Sequence, residues 1–148
     1  MQEVCELAVR ALDALLDYQF YPVAAAKNAT IKRRPLGIGV INYAYFLAKH
    51  GLKYSDGSAN ALTHQRFEAF QYYLLKASVQ LAKEFGPCEG FKETTYAQGL
   101  LPIDTYKTSI NEFCQEPLHL DWEELRQDIA HYGLRTVSYT HLTLPTKA

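Results

Sequence analysis

The sequence lacks a long uninterrupted apolar stretch. No run approaches the ~18 apolar residues of a membrane span, and Met1–Val4 are not followed by the basic and apolar regions of a secretory signal. These two absences argue against a membrane protein and against an exported one. We therefore expect a cytoplasmic chain without a membrane partner.

The chain also has almost no excess of either charge. It carries 15 basic and 16 acidic residues, and its only basic run is Lys32–Arg34. Because nucleic-acid-binding domains need a strongly basic surface, we expect no nucleic acid partner. Apolar residues make up 48% of the chain and charged residues 21%, which is typical of a folded globular domain.

Cysteine is scarce. Cys5, Cys88 and Cys114 are odd in number and far apart, which indicates free thiols in a reducing compartment rather than a disulfide framework. Cys88 and Cys114 could act as nucleophiles, but activation needs a nearby base or cation that the sequence does not show. We favour structural roles for both.

Signatures of metal and cofactor sites are missing as well. There is no C-x-x-C motif, and we expect none of the histidines, at positions 50, 64, 119, 131 and 141, to pair with another ligand at helical spacing, so we predict no metal site. The run Leu36–Ile41 has two glycines but lacks the third glycine of a dinucleotide loop, and we interpret it as a packed strand. We therefore predict no cofactor-binding residue.

Three helices are indicated by apolar periodicity. We predict the first over residues 2–19, the second over about 59–85 and the third from an Asp121 N-cap, with Glu124 as its capping-box partner, to a Gly133 C-cap. The expected buried face of the first helix consists of Val4, Leu7, Ala8, Ala11, Leu12, Leu15 and Leu16. That of the second helix consists of Leu62, Phe67, Phe70, Tyr73, Leu74, Ala77, Leu81 and Phe85. That of the third helix consists of Trp122, Leu125 and Ile129.

The intervening segments are less regular. We predict a loop over residues 23–35, a buried strand at Leu36–Ile41, a helix from about Tyr43 to His50, a short helix around Lys92–Gln98 and a strand beginning at Leu134. Adjacent tyrosines at positions 72 and 73 could have a redox role, but one buried and one flanking position on a helix is the commoner reason. These patterns indicate a mostly helical α/β domain without an identifiable active site.

Seven longer segments carry more information than any short motif. They are AVRALDALLDYQ (8–19), RRPLGIGVIN (33–42), AKHGLKYSDGSAN (48–60), QYYLLKAS (71–78), ETTYAQG (93–99), LPIDTYK (101–107) and EPLHLDW (116–122). In this order and without an obvious gap, they resemble the large subunit of class I ribonucleotide reductases, especially the bacterial enzymes that reduce ribonucleoside diphosphates. The resemblance covers residues 1–135.

The resemblance implies a fold and an activity. The family fold is a ten-stranded α/β barrel, in which residues 36–41 would form a strand whose glycines allow tight packing. The enzyme makes deoxyribonucleotides for DNA replication: a thiyl radical abstracts the ribose 3′ hydrogen, and two further cysteines form a disulfide. The implied partners are a ribonucleoside diphosphate, a metal-containing small (beta) subunit that supplies the radical, a second large subunit, thioredoxin or glutaredoxin, and ATP or dATP as allosteric effectors.

The family's functional residues lie in segments outside this chain. These residues are the radical cysteine with its neighbouring Asn and Glu, the reducing cysteine pair, the effector site and the radical-relay tyrosines. We therefore predict no catalytic, cofactor-binding or metal residue here, and an inactive, association-prone isolated chain. The alternative is a small free-standing helical protein-interaction module.

The last thirteen residues depart from the family. Val137 to Thr146 match, codon by codon, a translated transposase sequencing adapter, GTC TCT TAT ACA CAT CTG ACG CTG CCG ACG. We therefore divide the chain into a barrel-domain fragment, residues 1–135, and an adapter artefact, residues 136–148. Because an adapter is not selected to pack, we predict few buried contacts for it, and a stability change below about 0.5 kcal/mol on its deletion.

Overall fold

A computed structural model describes residues 1–137 of the chain. The helices are α1 (Gln2–Tyr18), α2 (Ala24–Arg33), α3 (Tyr43–Lys49), α4 (Asn60–Phe85), α5 (Pro102–Thr105) and α6 (Trp122–Tyr132), with 3₁₀-helices at Glu89–Glu93, Thr95–Gln98 and Thr108–Glu112. The described part of the chain contains no helix that is long and apolar enough to cross a membrane.

Helix α4 is central because it is buried on two faces. Leu74 and Leu81 pack on α1 in one core, whereas Leu75 and Val79 pack on α6 in the other. Complete burial of a side chain such as Leu75 contributes about 1.5–3 kcal/mol. The predicted long helix is confirmed, but its predicted face is only one of the two, and Phe85 at its end is exposed.

Helix α1 forms where predicted, but its buried face is only partly the predicted one. Cys5, Val9 and Asp13 are buried, although they do not belong to the predicted face. Of the predicted face, Leu12 and Leu16 pack partly buried against this core, whereas Val4, Leu7 and Leu15 are exposed. The reason is that α1 is apolar on two opposite sides, and α4 covers only one of them. An apolar stripe in the sequence does not reveal which side has a partner within the same chain.

The predicted loop at residues 23–35 is wrong, because residues 24–33 form α2. Its first three residues are alanines, the strongest helix former. Arg34 then ends the helix in a left-handed conformation with φ 48°, and its backbone N–H donates to the carbonyl of Thr30. None of the α2 residues is buried; Lys32 and Arg33 instead form ion pairs with Glu93.

The predicted strands do not form within residues 1–137. Among the described residues, Leu36 is assigned to a β-bridge, while Ile41 is 93% exposed and Gly39 faces open space rather than a tight contact. Residues from Leu134 to the end of the described part also form no strand. Apolar β-forming residues favour a strand, but they do not determine how many of them pair with a neighbouring segment.

The third predicted helix is confirmed, with its N-cap and its C-cap. The Asp121 carboxylate accepts a hydrogen bond from the backbone N–H of Glu124 at 2.9 Å, as an N-cap does. Gly133 is the C-cap with φ 75°, and Trp122 and Ile129 are buried. The predicted Tyr43–His50 helix is likewise present as α3, with His50 at its C-cap. The short helix predicted around Lys92–Gln98 is replaced by two 3₁₀-helices that flank Thr94.

Thr136 and Val137 are buried, which contradicts the expectation of few buried contacts for these two residues. The Thr136 backbone N–H donates to Ser78 Oγ at 3.0 Å, and Ser78 Oγ donates to the Thr136 carbonyl at 3.2 Å. The Val137 N–H donates to the Arg33 carbonyl at 3.3 Å. The rest of that expectation concerns residues 138–148, which lie outside the described residues.

These contacts change the expected effect of shortening the chain. Deleting residues 136–148 should lower the free energy of unfolding by about 1–3 kcal/mol, because it leaves the buried Ser78 hydroxyl without its partners. Urea unfolding of the parent and of two chains, ending at Arg135 and at Val137, measures the effect. The chain that ends at Val137 keeps the contacts of Thr136. Equal stability of the two shortened chains would contradict the expectation.

Candidate functional site

A partly buried network of charges joins α1 to the segment after α2, with the Asp17 side chain 55% exposed. Arg34 Nε donates to Asp13 Oδ1 at 2.5 Å, and the two amino nitrogens of Arg34 donate to the two carboxylate oxygens of Asp17 at 2.8 and 2.7 Å. The side chains of Arg34 and Asp13 are only 4% and 7% exposed. Such planar two-point contacts are the strongest form of the arginine–carboxylate pair.

Arg135 extends this network to the residues after α6. Its Nε donates to Asp13 Oδ2 at 3.3 Å, and one of its amino nitrogens donates to the carbonyls of Phe85 and Gly86 at 3.4 Å. One buried carboxylate therefore connects α1, the end of α2, the end of α4 and the segment after α6. We refer to Asp13, Asp17, Arg34 and Arg135 together as the charged brace.

Electrostatics keep Asp17 and Arg34 of the charged brace ionised. The hydrogen bonds from Arg34 hold the pKa of Asp17 below its usual range, and Asp17 in turn raises the pKa of Arg34. A general acid or base needs a pKa near the working pH. Asp17 and Arg34 are therefore not suited to exchange protons, and the geometry of the charged brace suits it to fix the relative positions of four chain segments.

A second buried carboxylate, Glu68, holds the entrance to α6. Its Oε1 accepts hydrogen bonds from the backbone N–H groups of His119 and Leu120, at 2.8 and 3.0 Å, and from Trp122 Nε1 at 3.1 Å. Its Oε2 lies 3.5 Å from His119 Nδ1. Three donors on one oxygen fix the chain just before α6 against the middle of α4.

Glu68 also has a neighbour at helical spacing, His64, so the expectation that no histidine pairs with another possible ligand is wrong. His64 lies four residues earlier and therefore on the same side of α4. Within residues 1–137, His64 Nε2 and Glu68 Oε2 are buried without a hydrogen-bond partner. Among the same residues, no three His, Cys, Asp or Glu side chains are placed to hold a metal ion. The pair is a polar cluster between α4 and the segment before α6.

The paired tyrosines lie in the core beside this cluster. Tyr72 is buried, with its ring edge-on to Tyr73 at 5.5 Å and to Trp122 at 5.4 Å between centroids. Burial raises the pKa of the Tyr72 phenol, which therefore stays protonated at neutral pH. The sequence analysis placed Tyr73 on the buried face of the helix, whereas the structure buries Tyr72 and leaves Tyr73 partly buried. The packing of both rings in the core supports the interpretation that they are packing residues.

The three cysteines are free thiols. Cys5 lies in the core between α1 and α4, and Cys88 lies in the core between α4 and α6. Burial raises the pKa of both thiols, which disfavours the reactive thiolate. These surroundings support the structural role that the sequence analysis favoured for Cys88.

Reactivity toward a thiol reagent is expected to follow burial. At pH 7 an excess of a maleimide should modify partly exposed Cys114 first, because buried Cys5 and Cys88 are protonated and shielded. Mass spectrometry of peptides from the native chain and from the chain unfolded in urea gives the order. Modification of Cys88 before Cys114 in the native chain would show that the core around Cys88 opens readily.

The sequence analysis missed both buried carboxylates, although the sequence contains a signal for them. Asp13 lies four residues after Val9, and Glu68 lies four residues before Tyr72, so each occupies a core position of its helix. A charged residue at core spacing indicates a buried, paired charge. The partner of Asp13 is Arg34, which lies 21 residues further along the chain and cannot be identified from helical spacing.

Comparison with known proteins shows to which family this chain belongs. The profile of the family described as "Ribonucleotide reductase, barrel domain" matches residues 1–148. The chain belongs to this ribonucleotide reductase family. Ribonucleoside-diphosphate reductase subunit alpha of Haemophilus influenzae is 68% identical over 135 residues, which are 91% of this chain and 18% of that protein.

Two further relatives have the same pattern of coverage. Ribonucleoside-diphosphate reductase 1 subunit alpha of Escherichia coli is 63% identical over 127 residues, 86% of this chain and 17% of that protein. Subunit alpha of Enterobacteria phage T4 is 47% identical over 142 residues, 96% of this chain and 18% of that protein. This member of the ribonucleotide reductase family thus spans under one fifth of the length of these relatives.

Membership supports the α/β barrel as the fold of the intact family domain, of which residues 1–137 are a mostly helical part. Arg34 of the charged brace lies in the segment RRPLGIGVIN, directly before the residues predicted as a barrel strand. The comparisons assign no role to individual residues of this ribonucleotide reductase chain, so the prediction that none of them is catalytic stays a prediction.

Proposed function

We propose that this chain is part of the large subunit of a ribonucleoside-diphosphate reductase. The observation that carries the proposal is the 68% identity over 135 residues to the Haemophilus influenzae subunit alpha. Identity of this extent over one continuous segment is typical of proteins with the same activity. The alternative, a free-standing helical interaction module, has no comparable support.

In the whole enzyme, the proposed reaction is the reduction of ribonucleoside diphosphates to 2′-deoxyribonucleoside diphosphates for DNA synthesis in the cytoplasm. The proposed partners are a second large subunit, a small subunit that supplies the radical, thioredoxin or glutaredoxin, and ATP or dATP as effectors. No described residue of this chain is assigned to the radical, to the substrate or to an effector.

The proposed contribution of this chain to the enzyme is positional. The charged brace fixes the start of the RRPLGIGVIN segment against α1 and α4, and Glu68 fixes the start of α6. Barrel enzymes hold their reacting groups on loops at strand ends, so an error in strand position moves those groups. The brace would therefore affect turnover without contacting substrate.

We also propose that residues 136–148 derive from a sequencing adapter. The support is the codon-by-codon match from Val137 to Thr146. The buried contacts of Thr136 and Val137 concern how these residues pack, and they do not bear on where the codons came from. Sequencing of the DNA on both sides of the reading frame tests this proposal. It also tests the proposal that the chain is part of a longer large subunit.

An activity test follows from the proposal. The isolated chain, supplied with small subunit, reductant and effector, should not convert a ribonucleoside diphosphate. Residues 1–135, placed into the Haemophilus influenzae subunit alpha in exchange for the matched segment, should give an enzyme within about tenfold of the parent kcat. Turnover by the isolated chain would contradict the proposal, and so would a folded, dimeric chimera without turnover.

A further inference from the structure

Helix α1 has two apolar faces, and only one of them is covered. Cys5, Val9 and Leu12 face α4, with which α1 makes its main contact. On the opposite side, Val4 is 70% exposed, Leu7 is 69% exposed, and Leu15 and Tyr18 are 50% and 89% exposed. We call this side the outer face of α1; it consists of Val4, Leu7, Ala11, Ala14, Leu15 and Tyr18.

The outer face is a continuous stripe without charge. At about 100° per residue, its six positions fall within an arc of about 100°. The charged residues of α1 lie beside this arc or on the buried side, where Arg10 pairs with Glu84 and Asp17 pairs with Arg34. A surface helix of a complete globular protein carries polar residues opposite its core face, whereas a helix apolar all round is buried on all sides.

The size of the outer face indicates what covers it. A helix of 17 residues is ~25 Å long, and a stripe ~10 Å wide along it offers only ~250 Å². A stable dimer buries ~800 Å² on each partner, so this stripe alone is too small to hold a second copy. A layer of the same folded domain does not need this large an area on α1, because it also contacts the chain at other points.

We propose that the outer face of α1 is an interface with the part of the reductase large subunit that this chain does not span. The inference rests on the proposed function, and the occupant is an apolar layer of that remaining ~80% of the subunit. In the assembled subunit, α1 is then sandwiched between α4 and this layer. An interface of this kind excludes charge from all six positions.

The test uses the full 148-residue chain with an affinity tag. It is expressed together with the Haemophilus influenzae subunit alpha from which the matched 135 residues have been removed. Two matched variants each add one carboxylate at an exposed helical alanine: Ala11→Glu on the outer face, and Ala25→Glu on α2. Circular dichroism confirms that both variants keep the helix content of the parent.

The parent and the Ala25→Glu chain should retain the remainder of the subunit on the affinity resin, and Ala11→Glu should retain at least tenfold less. Equal retention by the two variants, or no retention by the parent, overturns the inference. Gel filtration that shows a dimer of the chain, abolished by Ala11→Glu, overturns it in favour of a second copy.

The same two variants in the chimeric subunit provide a measurement that does not depend on assembly in trans. Ala11→Glu should lower the yield of soluble chimera severalfold relative to Ala25→Glu, because the carboxylate would be buried without a partner. Equal yields overturn the inference. If the two chimeras are active and give equal yields, the proposed interface is wrong but the proposed function is not contradicted. Failure of the interface can therefore be distinguished from failure of the proposed function.

Discussion

Replacing Arg34 with alanine is expected to lower the free energy of unfolding by about 3–5 kcal/mol, because it leaves the buried Asp13 carboxylate without its closest partner. Arg34→Lys should recover little of this loss, since an ammonium cannot reproduce the two-point contact with Asp17. Urea unfolding in dilute solution, followed by the fluorescence of the single tryptophan, Trp122, measures both variants.

The matched control is Arg10→Ala. Arg10 also makes a two-point contact, with Glu84 at 2.7 Å for both bonds, but the two side chains are 39% and 34% exposed. Exposed pairs contribute about 0–1 kcal/mol, so this variant should unfold almost like the parent. Similar losses for Arg34→Ala and Arg10→Ala would show that burial does not set the strength of the charged brace.

The charged brace also has a pH dependence with a defined sign. The folded-state pKa of Asp17 is lowered by Arg34. Its contribution to stability is therefore fully present above its unfolded pKa, about 3.9, and is lost as the pH falls through the lower folded value. The Asp17→Asn chain should lack this part of the loss below pH 4.

Replacing Glu68 with alanine is expected to cost about 3–5 kcal/mol as well. The substitution removes the acceptor of three hydrogen bonds and leaves the Trp122 indole N–H and two backbone N–H groups without a partner. An unsatisfied buried donor costs about 1–3 kcal/mol. Because Trp122 is the only tryptophan, its emission in the native state should also shift when this hydrogen bond is lost.

Two further variants define the origin of the loss. Glu68→Gln keeps a carbonyl oxygen that can accept the same bonds, so it should lose less than half as much as Glu68→Ala. Glu123→Ala, at an exposed position on α6, should change stability by less than about 0.5 kcal/mol. A Glu68→Gln chain as unstable as Glu68→Ala would mean that the charge, and not the three accepted bonds, is what matters.

The helices could be predicted from the sequence wherever residues close to one another in the chain determine where a helix begins and ends. Alanine and leucine spacing, the Asp121 N-cap and Gly133 after α6 act within a few residues, and these predictions are confirmed. The loop predicted at residues 23–35 is wrong because the alanines at the start of α2 favour a helix more strongly than the polar residues around Lys27 oppose it. Helix propensity is a local property that was available in the sequence.

The strands and the buried face of α1 could not be predicted in the same way. Whether Ile41 or Leu7 is buried depends on a partner distant in the chain or outside it, and periodicity carries no information about that partner. The charged brace has the same character: Asp13 at a core position signals that a cation is needed, but only the fold identifies Arg34 and Arg135 as the cations.

The most direct test of the account is the DNA sequence on both sides of this reading frame. We predict that the frame continues upstream of Met1 into the rest of a reductase large subunit. Downstream of Arg135, genomic sequence should replace the codons of residues 136–148 with codons that continue the resemblance to the family. In-frame stop codons directly before Met1 and after Ala148 in genomic DNA would contradict both the fragment and the adapter origin of the tail.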